Sequence, residues 1–298
     1  MSAPVEVRRF LHCNYNCRDH VGLERFYAGL FGLRAVMRSS SSGSDGTPFG
    51  IYRATTSSTV FLYDHRGGRR SNALELVHWI DPATTGAVYP RGFDRGIQAV
   101  AYSAADLDAT AAAATALGGR VVRRGDDWLV LRDPEGVAVE VVRADGPSEA
   151  RHLRVVCADL ERSLAWWSQL GFRDAPQLLG LPTRELWPAE DGRAVSAERG
   201  LVGSDDPSFG VVFTTWSGGP PPGPTYAMPY HQGIYRMAVA VDDVQAAYAA
   251  LADLGVARQP PCTFQLPGTP LTDGLTILFI RDPDNILVEL VERRPPAS

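Results

Sequence analysis

A handful of polar side chains interrupt otherwise apolar, strand-like segments of this chain, and their types are those that ligate metals, move protons or grip oxygens. Glu75 breaks the run Ala73-Leu74-Glu75-Leu76-Val77, and Glu140 breaks Val137-Ala138-Val139-Glu140-Val141-Val142. A carboxylate inside so apolar a strand must be solvated, paired or bound to a metal. Strand alternation puts Phe10, His12, Asn14 and Asn16 on one face, and Leu11, Cys13 and Tyr15 on the other. A helix covering the apolar face leaves His12 and both asparagines on the concave one. An imidazole with two carboxylates, His12, Glu75 and Glu140, makes a three-ligand set with open positions for Zn, Fe, Mn, Co or Ni. Such an ion binds two adjacent substrate oxygens and stabilises an enolate or oxyanion, with Asn14 and Asn16 orienting those oxygens. The plainer reading is that each Glu sits on a solvated sheet face.

Later in the chain, His152, Arg154, Arg236 and Glu289 stand on the equivalent face. A Glu–Arg pair can simply neutralise itself there. As a functional set, His152 is a candidate general base, Arg236 and Glu289 are candidate catalytic partners, and Arg154 is a candidate substrate contact.

The elements that position these residues are repeated. Leu131-Arg-Asp-Pro-Glu-Gly-Val-Ala-Val-Glu-Val-Val142 matches Ile280-Arg-Asp-Pro-Asp-Asn-Ile-Leu-Val-Glu-Leu-Val291, each reading as strand, Asp-Pro turn, strand. His12 and His152 each precede an Asp by seven residues, Asp19 and Asp159, which are placed to cap the helices that follow. Those helices show apolar spacing at Leu23, Phe26, Tyr27, Leu30 and at Leu160, Leu164, Trp167, Leu170. Gly96 to Asp106 aligns without gaps with Gly233 to Asp243. Four related units follow, over 6–80, 95–143, 151–217 and 233–293, joined by loop-like stretches at Asp81–Asp94, Ala144–Ala150 and the Pro-rich Ser217–Gln232.

Composition narrows the functional classes. A net charge of −5 without a basic run argues against nucleic-acid and anionic-membrane partners. With no apolar leader and no long apolar stretch, a cytoplasmic location is expected. Cys13, Cys17, Cys157 and Cys262 lack CxxC spacing and read as free, buried thiols.

The repeat and its motifs resemble the vicinal oxygen chelate superfamily, which includes glyoxalase I, extradiol dioxygenases and bleomycin-binding proteins. The residues carrying the resemblance are Leu11-His12, Asp19, Phe26-Tyr27, Leu30-Phe31-Gly32, Ala73-Leu-Glu-Leu76 and the two Arg-Asp-Pro…Val-Glu segments. It implies an α+β fold of four βαβββ modules paired into two bowl-shaped half-barrel domains, 1–145 and 150–298, each bowl able to hold a divalent metal. The family's ligand positions fall on His12, Glu75, Ala99 and Glu140 in the first half, and on His152, Val212, Arg236 and Glu289 in the second. Arg236 breaks the two-His-one-Glu iron set of the ring-cleaving members, because a guanidinium cannot ligate a metal. The resemblance therefore implies a metal-assisted lyase, isomerase or dioxygenase-like enzyme using His12, Glu75 and Glu140 on a small oxygen-bearing, aromatic or polyketide-like substrate. The competing reading is a metal-free binding or sequestering protein, or a metal-free catalyst. Swapped pairing of the modules, first with fourth, stays open and would gather His12, Glu75, Arg236 and Glu289. A monomer or a homodimer is expected.

Overall fold

Each module folds as a strand, a helix and further strands, as its patterning requires. In this computed structural model, residues 3–180, 182–218, 226, 228–271 and 273–292 are described. Part of the Pro-rich joint and the last residue expected for the fourth module lie outside them. Module one comprises β1 (Phe10–Cys17), α1 (His20–Phe31), β2 (Arg34–Asp45), β3 (Ala54–Tyr63) and β4 (Ala73–Asp81). Module two has β5 (Gly96–Ala104), α2 (Leu107–Ala116), β6 (Arg120–Arg124), β7 (Trp128–Arg132) and β8 (Ala138–Arg143). Module three has β9 (Ala150–Val156), α3 (Leu160–Ser168), β10 (Arg173–Asp174), a short α4 (Thr183–Leu186), β11 (Val195–Val202) and β12 (Gly210–Trp216). Module four has β13 (Gly233–Val241), α5 (Val244–Asp253), β14 (Cys262–Phe264), β15 (Leu275–Arg281) and β16 (Leu287–Glu292).

The four main helices start in the same way. Asp19, Asp106, Asp159 and Asp243 each accept a hydrogen bond from a first-turn amide, at Gly22, Ala109, Arg162 and Ala246. Such a cap satisfies one of the amides that a helix start leaves unbonded and contributes about 1 kcal/mol. α1 closes at Gly32 in the left-handed conformation, φ 64°, where a side chain would be strained. Among the described residues, no helix is long and apolar enough to cross a membrane.

The strands form two eight-stranded sheets, ordered β14-β15-β16-β13-β1-β4-β3-β2 and β10-β11-β12-β9-β5-β8-β7-β6. Modules one and four therefore share one sheet, and modules two and three share the other. Of the two pairings the sequence left open, this is the swapped one: each of the expected sequence domains, 1–145 and 150–298, gives one module to each sheet. The physical reason lies in the joints. β8 ends at Arg143 and β9 begins at Ala150, at the same end of β5, which both strands flank. So short a connection keeps modules two and three in one sheet. The longer joints after β4 and β12 let modules one and four meet through β1 and β13.

Consecutive modules still touch, through their helices and Asp-Pro turns. Asp133 accepts from the turn amides of Glu135 and Val137 and from the hydroxyls of Tyr15 and Tyr27 in module one. Asp282 does the same at its own turn, accepting from the amides of Asp284 and Ile286 and from Trp167 of module three. Burial pushes both carboxyls up to about 7, against those donors. Glu135 then accepts from the amides of Arg18 and Asp19, and Asp284 from that of Ala158, so each turn seats the start of its neighbour's helix.

The main core fills the space between the convex sheet faces and the helices, and includes Cys13, Cys17 and Cys157. All four cysteines are free, three of them buried and Cys262 half-buried.

Candidate functional site

Each sheet curls around a polar centre set in an apolar lining. In the first bowl, β1 and β13 run antiparallel with Asn14 opposite Arg236, and β4 runs parallel to β1 with Glu75 beside Asn14. On the far side, β16 places Glu289 beside Ala238 of β13. Alternation aims His12, Asn14, Glu75, Arg236 and Glu289 into the concavity. Asn14 Nδ2 donates to Glu75 Oε2 at 3.3 Å, and Arg236 Nη2 donates to the same oxygen at 3.2 Å. Arg236 Nε donates to Glu289 Oε1. The Nε–Nη2 edge of the guanidinium is thus spent on two carboxylates, one from each module. His12 Nε2 lies 3.2 Å from Glu289 Oε2 and 3.5 Å from Glu75 Oε2. Burial disfavours the imidazolium of His12, yet Glu75 and Glu289 outweigh it and hold the pKa above the ordinary histidine value.

Two atoms of this cluster have no hydrogen-bond partner. They are Arg236 Nη1, a donor, and Asn14 Oδ1, an acceptor. Both are buried, Asn14 completely and Arg236 at 6% exposure. Orphaned buried polar atoms cost about 1–3 kcal/mol each, so a group that bonds them is stabilised by that margin. Above Arg236 lies Phe49, its ring centre 5.1 Å from the guanidinium carbon. Phe49 rides on the Gly46–Gly50 turn between β2 and β3 and packs against Trp79, Phe264 and Phe279. Gly50, at φ 78°, supplies the reversal that turns the aromatic inward.

The second bowl uses the same residue types with different wiring. Glu140 is fully buried and accepts from Arg154 Nε, from Arg154 Nη2 at 3.0 Å and from Trp187 Nε1 at 2.6 Å. His152 Nε2 sits 2.9 Å from Glu140 Oε2. Arg154 Nη1 donates to Thr214 Oγ1 at 3.0 Å. Every polar atom of Glu140 and Arg154 is engaged. Arg154 and its neighbours hold the Glu140 carboxyl far below the usual range despite its burial. Burial dominates at His152 and pushes its pKa down, the reverse of His12. Trp187 belongs to the segment after α3 and packs with Phe93, Trp128, Leu186 and Trp216, which plug the bowl. Unpartnered atoms here, Trp216 Nε1 and Glu198 Oε2, lie outside the Glu140 centre, and Glu198 faces Arg154 at 3.6 Å.

These placements redistribute the sequence-based candidates. The set His12, Glu75 and Glu140 is not brought together, because Glu140 lies in the other sheet and Glu289 takes its place beside His12 and Glu75. The set His152, Arg236 and Glu289 is divided in the same way. Arg154 is sealed in an ion pair rather than offered to a substrate. Asn16 is also occupied: Nδ2 donates to the carbonyls of Pro229 and His231 at 2.7 and 2.9 Å, and Oδ1 accepts from Trp79 at 2.9 Å. It anchors the chain entering β13. Asn14 alone of the expected substrate-orienting asparagines keeps a free hydrogen-bonding atom. The sequence reading missed Phe49 and Trp187; an aromatic between two glycines in a polar hairpin is the signal that marked Phe49.

The residues of the first bowl do not fit a divalent ion. Three of the four ligand positions hold His12, Glu75 and Glu289, but the fourth holds a guanidinium bonded to both carboxylates. Arg236 already compensates the two carboxylates from within the ligand sphere, and a dication bound there would face its fixed positive charge. In the second bowl, Ala99 and Val212 offer no ligand atom, and Glu140 is fully committed. Among the described residues, no group of three or more His, Cys, Asp or Glu side chains is arranged to hold a metal.

Comparisons with known proteins agree with this architecture. The family model of the glyoxalase-like domain matches residues 12–142, and that of the glyoxalase/bleomycin resistance protein/dioxygenase superfamily matches residues 150–290. Among solved structures, glyoxalase I from Zea mays superposes with a TM-score of 0.63 at 21% identity, covering 95% of this chain and 92% of that one. A candidate dioxygenase from Bacillus subtilis superposes with a TM-score of 0.63 at 13% identity, covering 98% and 87%. At such identities the likeness is one of fold. No curated protein matches the chain. The chain belongs to the glyoxalase/bleomycin resistance protein/dioxygenase superfamily, as a tandem member of four modules in two curled sheets.

Proposed function

We propose that the first bowl is a metal-free acid–base site for a small ligand carrying adjacent carbonyl and hydroxyl oxygens. The observation that carries this reading is that Arg236 Nη1, a donor, and Asn14 Oδ1, an acceptor, are left unpartnered while Arg236 Nη2 and Asn14 Nδ2 of the same two side chains bond one oxygen of Glu75 beside His12. A carbonyl oxygen satisfies Arg236 and a neighbouring hydroxyl satisfies Asn14. Glu75 and Glu289 raise the basicity of His12, which suits its neutral form to take the proton from the carbon next to that carbonyl. The C–H pair becomes the C=C bond of an enediolate and the carbonyl π pair moves onto oxygen, where Arg236 meets the developing charge; protonated His12 then returns the proton to the former carbonyl carbon. The reaction class is enolisation, and through it isomerisation of an α-hydroxyketone. A metal-assisted reaction through His12, Glu75 and Glu140 is set aside because those residues do not converge.

A second reading, ligand sequestration, is favoured by Phe49, which lies over Arg236 and packs against Phe264 and Phe279. One experiment addresses both. Chelator-treated protein is incubated with 2-hydroxyacetophenone in D2O, and deuterium entry at the carbon bearing the hydroxyl is followed by NMR. Catalysed exchange that falls about a hundredfold or more in His12→Gln and in Arg236→Gln supports acid–base catalysis. Binding without exchange favours sequestration. Exchange that survives both substitutions rules out the proposed chemistry.

A further inference from the structure

A separate cavity of about 830 Å³ opens between α3, the turn after α5 and the β15–β16 turn. That volume lies within the range of small-molecule sites. Its charge is opposite to that of the whole chain. Arg162, Arg258 and Arg281 line it in a protein of net charge −5. The one acidic residue in the wall, Asp282, is turned inward to its own turn amides and Trp167. Arg281 is held in place by the Asn285 carbonyl at 2.9 Å and the Tyr235 hydroxyl at 3.1 Å, and Arg162 by the Pro283 carbonyl. Neither arginine is consumed by a carboxylate in those bonds. Arg258 is exposed and pairs with no carboxylate among the described residues. Beside these cations lie the aromatic side chains of Trp166, Phe279 and Phe49. Trp166 is half-buried next to the core residue Trp167, which steadies it at the wall.

We infer that this cavity binds a planar aromatic anion, its ring against Trp166 and Phe279 and its acid group toward Arg258 and Arg162. An aliphatic anion would leave the aromatic walls unused, and a neutral aromatic would leave the positive charge of three guanidinium groups without a counter-charge in the cavity. The inference stands apart from the acid–base reading of the first bowl, since none of His12, Asn14, Glu75, Arg236 or Glu289 lines the cavity. Phe49 alone is common to both.

The test is isothermal titration of the full-length protein with 2-naphthoate at low salt, beside its uncharged analogue 2-naphthamide. The expected result is saturable one-site binding of the acid, about tenfold or more tighter than the amide and weakened by added salt. Arg258→Glu, a change at an exposed side chain, should cost at least about tenfold in affinity. His12→Gln, a change in the first bowl at a residue that neither lines the cavity nor touches Phe49, should leave binding unchanged. Equal affinity for acid and amide would overturn the inference, as would an unaffected Arg258→Glu variant. Loss of binding in His12→Gln would place the ligand in the bowl instead, and no binding up to about 1 mM would dismiss the site.

Discussion

The two bowls reach charge balance with one histidine, one arginine and carboxylates, yet they place the arginine on opposite members of the same strand pair. In the first bowl Arg236 comes from β13 and faces Asn14 of β1; in the second Arg154 comes from β9 and faces Ala99 of β5. The difference decides what is left over. Arg154 bonds Glu140 twice and Thr214 once and faces Glu198 at 3.6 Å, and Trp187 completes the Glu140 centre, so that every polar atom of Glu140 and Arg154 is engaged. Arg236 is stretched between two glutamates, which strands Nη1 and leaves Asn14 half-bonded. A satisfied buried network holds a fold together; an unsatisfied one keeps hydrogen-bonding capacity that a ligand's polar atoms can take up.

The largest effects should separate the bowls by stability. Glu140→Gln removes the buried carboxylate bonded by Arg154, His152 and Trp187, leaving Arg154 only the part-exposed Glu198 at 3.6 Å, and should cost about 3–5 kcal/mol in urea unfolding. Glu289→Gln should cost clearly less, because Glu75 remains beside Arg236. Equal losses would erase the distinction between a structural and a functional bowl.

A smaller effect distinguishes the histidines by sign. The pKa of His12 is raised in the folded protein, so its contribution is complete below the unfolded value of 6.5 and is lost as pH rises through the folded value. That of His152 is lowered, so stability is lost as pH falls below 6.5, until the folded histidine itself protonates. Against wild type, His12→Gln should therefore be more damaging at about pH 5.5 than at about pH 8, and His152→Gln more damaging at about pH 8. Unfolding free energies at the two pH values check this. The same sign for both histidines would mean that their surroundings do not differ as described.

Much of this could be read in the sequence, and the failures share a cause. The modules, the capping aspartates Asp19 and Asp159, the Asp-Pro turns and the concave placement of His12, Asn14, Glu75 and Glu289 all follow from local patterning. Sheet pairing does not, because the first strands of all four modules carry similar patterns and each offers a similar edge. The choice between Glu140 and Glu289 as the partner of His12 therefore rested on joint length, and the short Ala144–Ala150 joint was the available clue. Arg154 and Trp187 were illegible for another reason: their roles depend on side chains meeting across segments distant in sequence.

The contrast between the bowls turns on Arg236 serving the first one as a built-in cation between Glu75 and Glu289. Elemental analysis of protein purified without chelators, wild type beside Arg236→His, tests it most directly. The account predicts wild-type protein with less than about a tenth of an equivalent of Fe, Zn, Mn, Co or Ni, and near-stoichiometric uptake of such an ion once Arg236→His completes a four-ligand set with His12, Glu75 and Glu289. About one equivalent in the wild type, lost on His12→Ala, would contradict it.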